Sequence, residues 1–404
     1  MLSDQLIALE HDVIMQTYKR IPVVVESTSG CRITDVNGVT YLDMLSGIAV
    51  NALGYSHPRI LEAIALQSHK YLHLSNLFYQ EPQIRLAQSL TRRTGYSKVV
   101  YSNSGAESWD AAVKLARMHG HLHGKNGDII GFTGGFHGRT YGALSTMDKP
   151  LYKEGMGPFL PSTAILPFND AAALRDAVNE HTCAVGLEFI QGEGGIRSVS
   201  REFVGALMEL RDRFGFVVIA DEVQTGVGRT GDFFAYETFG ITPDIVTMAK
   251  GIGGGLPLGA MLVSDALSTA WKQGQHGSTY GGNALACATG LVVMEELEHG
   301  LLDHVRSIGA YLHAALGTLR ASYPEYVLEI RGRGLMAGVV VNEESTPLRD
   351  ALLARRVITS ATASNVIRIV PPFIITEADV DECVHALRNA IEERIAVTSS
   401  SIAV

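Results

Sequence analysis

With 404 residues, 46% of them hydrophobic, the chain can bury a large core and exceeds what one core usually holds, so a large and a smaller domain are expected. A formal net charge of −9, with no block of Lys or Arg, gives no electrostatic footing for nucleic acid or an acidic membrane, so the expected partners are small molecules. Cys31, Cys183, Cys287 and Cys383 are scattered without CxxC spacing, which argues against a disulfide framework or a zinc knuckle and suits a reducing cytoplasm.

The N-terminal MLSDQLIALEHD carries Asp4, Glu10 and Asp12 and lacks the basic start and apolar run of a signal peptide. No later stretch reaches membrane-spanning length, so a cytoplasmic protein is expected. The apolar run Val99 to Tyr101 predicts a strand, and the helix after it shows Trp109, Ala112, Val113 and Ala116 at helical spacing, with Glu107 and Asp110 in its first turn. A second helix is predicted over Ser200 to Phe214, with Phe203, Leu207 and Leu210 on one face, ahead of the strand Phe216 to Ala220. Ile245 to Ala249 predicts a further strand. This succession of strands and helices implies an α/β fold with a mostly parallel central sheet. From about Leu301 the chain becomes helix-rich and charged. It then gives strand-like LMAGVVV and VIRIV before a last helix, which predicts a smaller α+β domain, and the tail TSSSIAV is expected to fray. The expected division is an N-terminal segment, 1–54, packing with the small domain, a large domain over 55–309, and a small C-terminal domain over 310–404.

In open α/β sheets ligands bind beyond the carboxyl ends of the strands, so the polar residues that follow apolar runs are the candidates. Strand VVY runs into Ser102-Asn-Ser-Gly-Ala-Glu107, VGLEFI into Gln191-Gly-Glu-Gly-Gly195, FVVIA into Asp221-Glu-Val-Gln224, and IVTMA into Lys250 and a glycine run. Taken alone, Ser104-Gly105-Ala106 reads as a helix cap, Asp221 as a cap for the next element and Lys250 as a solvated side chain. Taken together they offer an anion cradle at a helix N-terminus, a carboxylate for a cationic ring nitrogen, and an amine that desolvation would turn into a nucleophile toward an aldehyde. An aldehyde cofactor with a phosphate and a pyridine nitrogen is pyridoxal 5'-phosphate (PLP).

Two other patterns are weaker. Gly226-Val-Gly-Arg-Thr-Gly231 matches GxGxxG, which would suggest a nicotinamide dinucleotide, but DEVQT separates it from its strand and no clean helical pattern follows. Of His119, His121 and His123, the first and last could share a helix face and bind a metal, but no Cys or acidic third ligand stands near, so a solvated helix end and no metal are expected.

The set NSGAE at Asn103 to Glu107, FHGRT at Phe136 to Thr140, QGEGG at Gln191 to Gly195, DEVQTGVGRTG at Asp221 to Gly231, AKGIGGGLPLGAM at Ala249 to Met261 and GSTYGGNALACA at Gly277 to Ala288 resembles the class III aminotransferases. With LDMLSGIAVNALGYSHP at Leu42 to Pro58 and VIRIVPPF at Val366 to Phe373 the resemblance covers nearly the whole chain, and it is strongest to the acetylornithine aminotransferases. It implies the type I PLP fold and a homodimer.

Carried over, it makes Lys250 the Schiff-base lysine and proton shuttle and Asp221 the partner of the pyridinium nitrogen. Gln224 would sit near the ring hydroxyl, with Phe136 and Val223 on the two ring faces. The Gly105 and Ala106 amides would hold the phosphate, with Ser104 nearby and Thr279 reaching the phosphate of the neighbouring subunit. Guanidinium groups bind carboxylates bidentately, so Arg139 and Arg368 are implied to clamp substrate, Arg368 on the α-carboxylate of glutamate, with Glu193 masking Arg368 when that carboxylate is absent. The implied reaction moves the terminal amino group of N-acetylornithine to 2-oxoglutarate, an amino acid and a 2-oxo acid. Other ω-amino donors (ornithine, succinylornithine, succinyldiaminopimelate, 4-aminobutyrate) or a PLP-dependent aminomutase or racemase are the alternatives, with a nicotinamide dehydrogenase and a silent binding protein behind them. Two residues depart from the family pattern, Trp109 in SWDAA and Phe189 in LEFIQGEGG. Both bear on packing around the cofactor.

Overall fold

The computed structural model describes residues 2–402, with side chains from 3 to 396. After an N-terminal helix, Leu2–Val13, strands β1 (Val25–Ser29), β2 (Arg32–Asp35) and β3 (Thr40–Asp43) form an antiparallel meander.

The central sheet contains β4 (Lys98–Ser102), β5 (Asp128–Phe132), β6 (Thr163–Leu166) and β7 (Thr182–Leu187). A short ribbon follows, β8 (Ile190–Gln191) with β9 (Arg197–Ser198), and the chain returns to the sheet as β10 (Val217–Asp221), β11 (Ile245–Met248) and β12 (Gly259–Val263). The order is β4-β12-β11-β10-β7-β5-β6, parallel at every junction except the two made by β12. Strands β7, β10, β11 and β12 are buried along their whole length, as a sheet covered on both faces requires, and this is why they read as unbroken apolar runs.

The flanking helices follow from their caps and stripes. In Gly105–Leu122 the Ser104 hydroxyl accepts from the Glu107 amide at 3.2 Å, and Trp109, Ala112, Val113 and Ala116 are buried against the sheet. Helix Arg201–Phe214 starts at Ser200, whose hydroxyl accepts from Phe203 N–H at 3.1 Å, and ends at Gly215 in the left-handed region. Its Phe203, Leu207 and Leu210 are buried, each contributing about 1.5 to 3 kcal/mol.

Toward the C-terminus, β13 (Val327–Arg333), β14 (Met336–Val341), β15 (Val357–Ile358), β16 (Ser360–Thr362) and β17 (Val366–Ile369) appear, and four of them form an antiparallel sheet ordered β13-β14-β17-β16. Helices Leu302–Ser322 and Glu377–Ile402 pack against each other, and the first also lies on β13. Strand β15 leaves this sheet to pair in parallel with β3, Val357 opposite Leu42. Arg32 of β2 reaches Asp379 and Glu382 of the last helix at 2.8 Å. The tail expected to fray is helical as far as Ile402; Ala403 and Val404 lie outside the described residues. No helix among the described residues is long and apolar enough to cross a membrane.

Candidate active site

Four strand ends converge. Ser102 closes β4, Asp221 closes β10, Lys250 follows β11, and Gly259 opens β12 directly opposite Ser102 because β12 runs the other way. Gly259 has no room for a side chain: a Cβ would lie 2.3 Å from Ser102 Oγ and 2.5 Å from the Ser104 carbonyl oxygen. Beyond these ends lies a cavity of about 340 Å³, lined by Ser104, Gly105, Ala106, Phe136, Asp221, Val223, Gln224 and Lys250 among others. The candidates from four separate motifs therefore share one space.

The anion cradle is the first turn of helix Gly105–Leu122. The Glu107 amide is taken by Ser104 Oγ and the Ser108 amide by the Ser104 carbonyl, leaving the Gly105 and Ala106 amides as the donors of that turn. Val223 crowds Gly105 so closely that a Cβ there would lie 2.7 Å from Val223 Cγ1.

Lys250 sits at φ 47°, a left-handed conformation that a non-glycine residue adopts only when its surroundings hold it there. Burial pushes its amine down to about 8, helped by the Arg368 charge and opposed by Glu193, Asp221 and Glu188. Asp221 is 3% exposed. Its Oδ1 accepts from the Val223 amide at 3.0 Å and its Oδ2 from His137 Nδ1–H at 2.7 Å. A second carboxyl, Glu188, lines the same cavity and accepts from the Phe136 and Gly192 amides at 2.8 and 2.9 Å. Burial pushes it up to about 7, with the Asp221 charge adding to the effect.

Arg368, on β17, is buried and donates to Glu193 through Nη1, to Gln224 Oε1 at 3.4 Å and to Ser360 Oγ at 3.0 Å. Burial alone would raise the Glu193 carboxyl, but the charge and hydrogen bond of Arg368, with Lys250 and Lys149 behind them, hold it below its ordinary range. Gln224 thus joins Arg368 to the cavity. Arg139 is exposed and does not line this cavity; its guanidinium lies 3.6 Å from the Tyr152 ring centroid and 5.6 Å from that of Phe136, which does. Thr279 is not in this cavity; it is exposed in a separate depression with Asn103, Glu107 and Tyr280.

Sequence reasoning passed over His137 and Glu188, although both stand within quoted stretches, one beside Phe136 in FHGRT and the other in LEFIQGEGG. Of the two departures, Phe189 packs in the core beside Tyr236 and Phe239, at 6.2 and 5.6 Å between ring centroids. Trp109 stacks on His137 at 3.6 Å, one ring away from Asp221. In GVGRTG no α-helix follows, and Arg229 is instead buried with Nη1 donating to the carbonyls of Leu335 (3.1 Å) and Pro371. The imidazole of His123, which caps helix Gly105–Leu122, pairs with the His119 carbonyl at 2.7 Å.

Known proteins match this arrangement. Residues 13–391 match the aminotransferase class-III family. The acetylornithine aminotransferase of Caldanaerobacter subterraneus subsp. tengcongensis is 42% identical over 392 residues, covering 96% of this chain and 99% of that protein. That of Methanocaldococcus jannaschii is 38% identical over 396 residues, covering 97% and 99%. Among solved structures, the ornithine aminotransferase of Toxoplasma gondii superposes with a TM-score of 0.93 at 27% identity, covering 98% of this chain and 96% of that one. The acetylornithine aminotransferase of Elizabethkingia anophelis gives 0.87 at 33%, covering 97% and 99%. The architecture is the type I fold of PLP-dependent enzymes, and the chain belongs to the class III aminotransferases.

Proposed function

We propose that this enzyme transfers the terminal amino group of N-acetylornithine to 2-oxoglutarate, with PLP held in the cavity at Lys250. The observation that carries the reading is the meeting, in one cavity, of a half-buried amine with a lowered pKa, a buried carboxylate with both oxygens anchored, and a helix N-terminus. The residues fit PLP: Gly105 and Ala106 amides for its phosphate, Asp221 for its ring nitrogen, Phe136 and Val223 for its ring faces, and Gln224 for its ring hydroxyl. When bound, PLP supplies an electron sink that acidifies the carbon bearing the amino group.

The chain's own residues do the rest. Lys250, with its amine lowered to about 8, is far more often neutral near pH 7 than an ordinary lysine, roughly a tenth of the time, so Nζ can take a proton from the donor carbon and return it elsewhere. Asp221, fixed by the Val223 amide and His137, would hold the ring nitrogen of the cofactor. The Glu193–Arg368 pair explains how one site serves two substrates. With glutamate, Arg368 leaves Glu193 and binds the α-carboxylate; with an ω-amine carrying no carboxylate at that end, Glu193 stays and keeps the guanidinium from misorienting it. Arg139, beside Phe136, takes the distal carboxylate in either case.

Residues 55–309 serve as the large domain and 310–404 as the small one, with segment 1–54 packing on the latter. The β3–β15 pair and the Arg32 contacts support that grouping. A homodimer in which Thr279 completes the neighbour's phosphate site, and a cytoplasmic location suited to four free thiols, complete the reading. The test is the visible spectrum of the PLP-loaded protein titrated with N-acetylornithine, ornithine, 4-aminobutyrate and glutamate in turn. Bleaching by N-acetylornithine and glutamate, reversed by 2-oxoglutarate, is expected. Bleaching by glutamate with ornithine or 4-aminobutyrate, and not with N-acetylornithine, would reassign the donor, and no bleaching by any would refute the activity.

A further inference from the structure

Trp109 is buried completely, and each of its polar and apolar contacts is directed. Its indole lies parallel to the His137 imidazole, 3.6 Å between centroids and 2° between planes. Its Nε1–H donates to Thr146 Oγ1 at 3.0 Å, and Thr146 in turn donates to the Ala143 carbonyl at 2.9 Å. Below it, Gly186 of β7 leaves space no other residue could, since a Cβ there would sit 2.5 Å from the indole Cη2. The indole is thus clamped at its nitrogen and at its far edge. The imidazole it covers has little freedom left, because its own backbone amide points at Met147 Sδ (3.1 Å) and its Nδ1 meets Asp221 Oδ2 at 2.7 Å.

A carboxylate accepts only, so this contact requires the proton on Nδ1, and a rotated imidazole would present a carbon instead. Loss of the contact would leave Asp221 with the Val223 amide alone, in a buried space that also holds Glu188, Glu222 and Lys250. We propose that Trp109 is a positioning residue for Asp221, acting through His137: the stacked indole keeps Nδ1–H on the carboxylate, so that the remaining face of Asp221 is presented to the protonated ring nitrogen of a pyridine cofactor. This rests on the PLP reading above.

The test compares wild type, Trp109→Phe, which keeps an aromatic stack, and Trp109→Leu, which removes it. The readouts are the downfield Nδ1–H proton of His137 by NMR in the apoprotein and loaded enzyme, the dissociation constant of PLP, and kcat against KM. Trp109→Leu is expected to lose the protected proton, to weaken PLP binding, and to lower kcat about 10- to 100-fold with KM for glutamate unchanged, as misplacement of a group near the chemistry does. Trp109→Phe is expected to retain the proton. A Trp109→Leu protein that folds, keeps the proton and binds PLP within twofold of wild type overturns the proposal while leaving the PLP reading intact. A wild type that binds no PLP overturns both. If Trp109→Leu does not fold, Thr146→Val, which removes the indole's acceptor, carries the test: faster exchange of the Nδ1 proton supports the link, and an unchanged exchange rate and PLP affinity refute it.

Discussion

Lys250, half-buried in the cavity wall, and Arg229, buried at the junction with the C-terminal sheet, are both cations held away from bulk water, and their settings differ. Around Lys250 there is open volume, with Asp221, Glu188 and Glu193 acting on its charge. Around Arg229 there is packed chain: two carbonyls, the Phe373 ring at 4.5 Å, and Asp43 as the one carboxylate whose charge supports it. Burial depresses both, Lys250 to about 8 and Arg229 to about 9, so a lowered value alone does not separate chemistry from architecture. Volume beside the charge does.

The comparison breaks first on function. Lys250→Ala should lower turnover by at least about 10³-fold while the thermal midpoint holds or rises, because a buried charge is removed. Activity within tenfold of wild type would remove Lys250 from the chemistry. Arg229→Ala should do the reverse, costing about 3 kcal/mol in urea unfolding since the Leu335 and Pro371 carbonyls lose their donor, with the rate per folded molecule preserved. Glu193→Ala would sharpen the picture on the cavity side. With Arg368 unmasked, kcat/KM for the ω-amine should fall about tenfold more than that for glutamate, and equal losses would mean that the pair has no gating role.

The pH dependence separates the two cations again. Only the neutral amine attacks an aldehyde, and a lowered value raises the neutral fraction at every pH below 10.5. Capture of PLP by the apoprotein, followed by the visible Schiff-base band, should therefore be half-maximal near pH 8 rather than 10.5 and unmoved by Arg229→Ala. The smallest effect is expected at Phe189→Leu, roughly 1 kcal/mol of stability with unchanged kinetics, since its ring packs only in the core.

The sheet was legible because buried parallel strands leave unbroken apolar runs, and the cavity because each run ends in a short polar stretch of defined residue types. The NSGAE cap, Asp221 and Lys250 stood out as candidates from that alone. Other features depend on residues distant in sequence. That β12 runs backward left no trace in its own residues, and the stack of Trp109 on His137 joins a helix to a loop. GVGRTG shows the converse: a pattern with a chemical reputation whose arginine is spent on two carbonyls.

The pair formed by β3 and β15 carries a consequence in time. Leu42 meets Val357 only after the intervening chain, about 300 residues, has been synthesised. At roughly 5 to 20 residues per second that interval lasts roughly 15 to 60 s. Throughout it the outer edge of β3 presents unpaired backbone groups to whatever is nearby. For a growing chain, the first strands to emerge are among the last to be protected, and the nascent polypeptide is most exposed to wrong pairing at its oldest end.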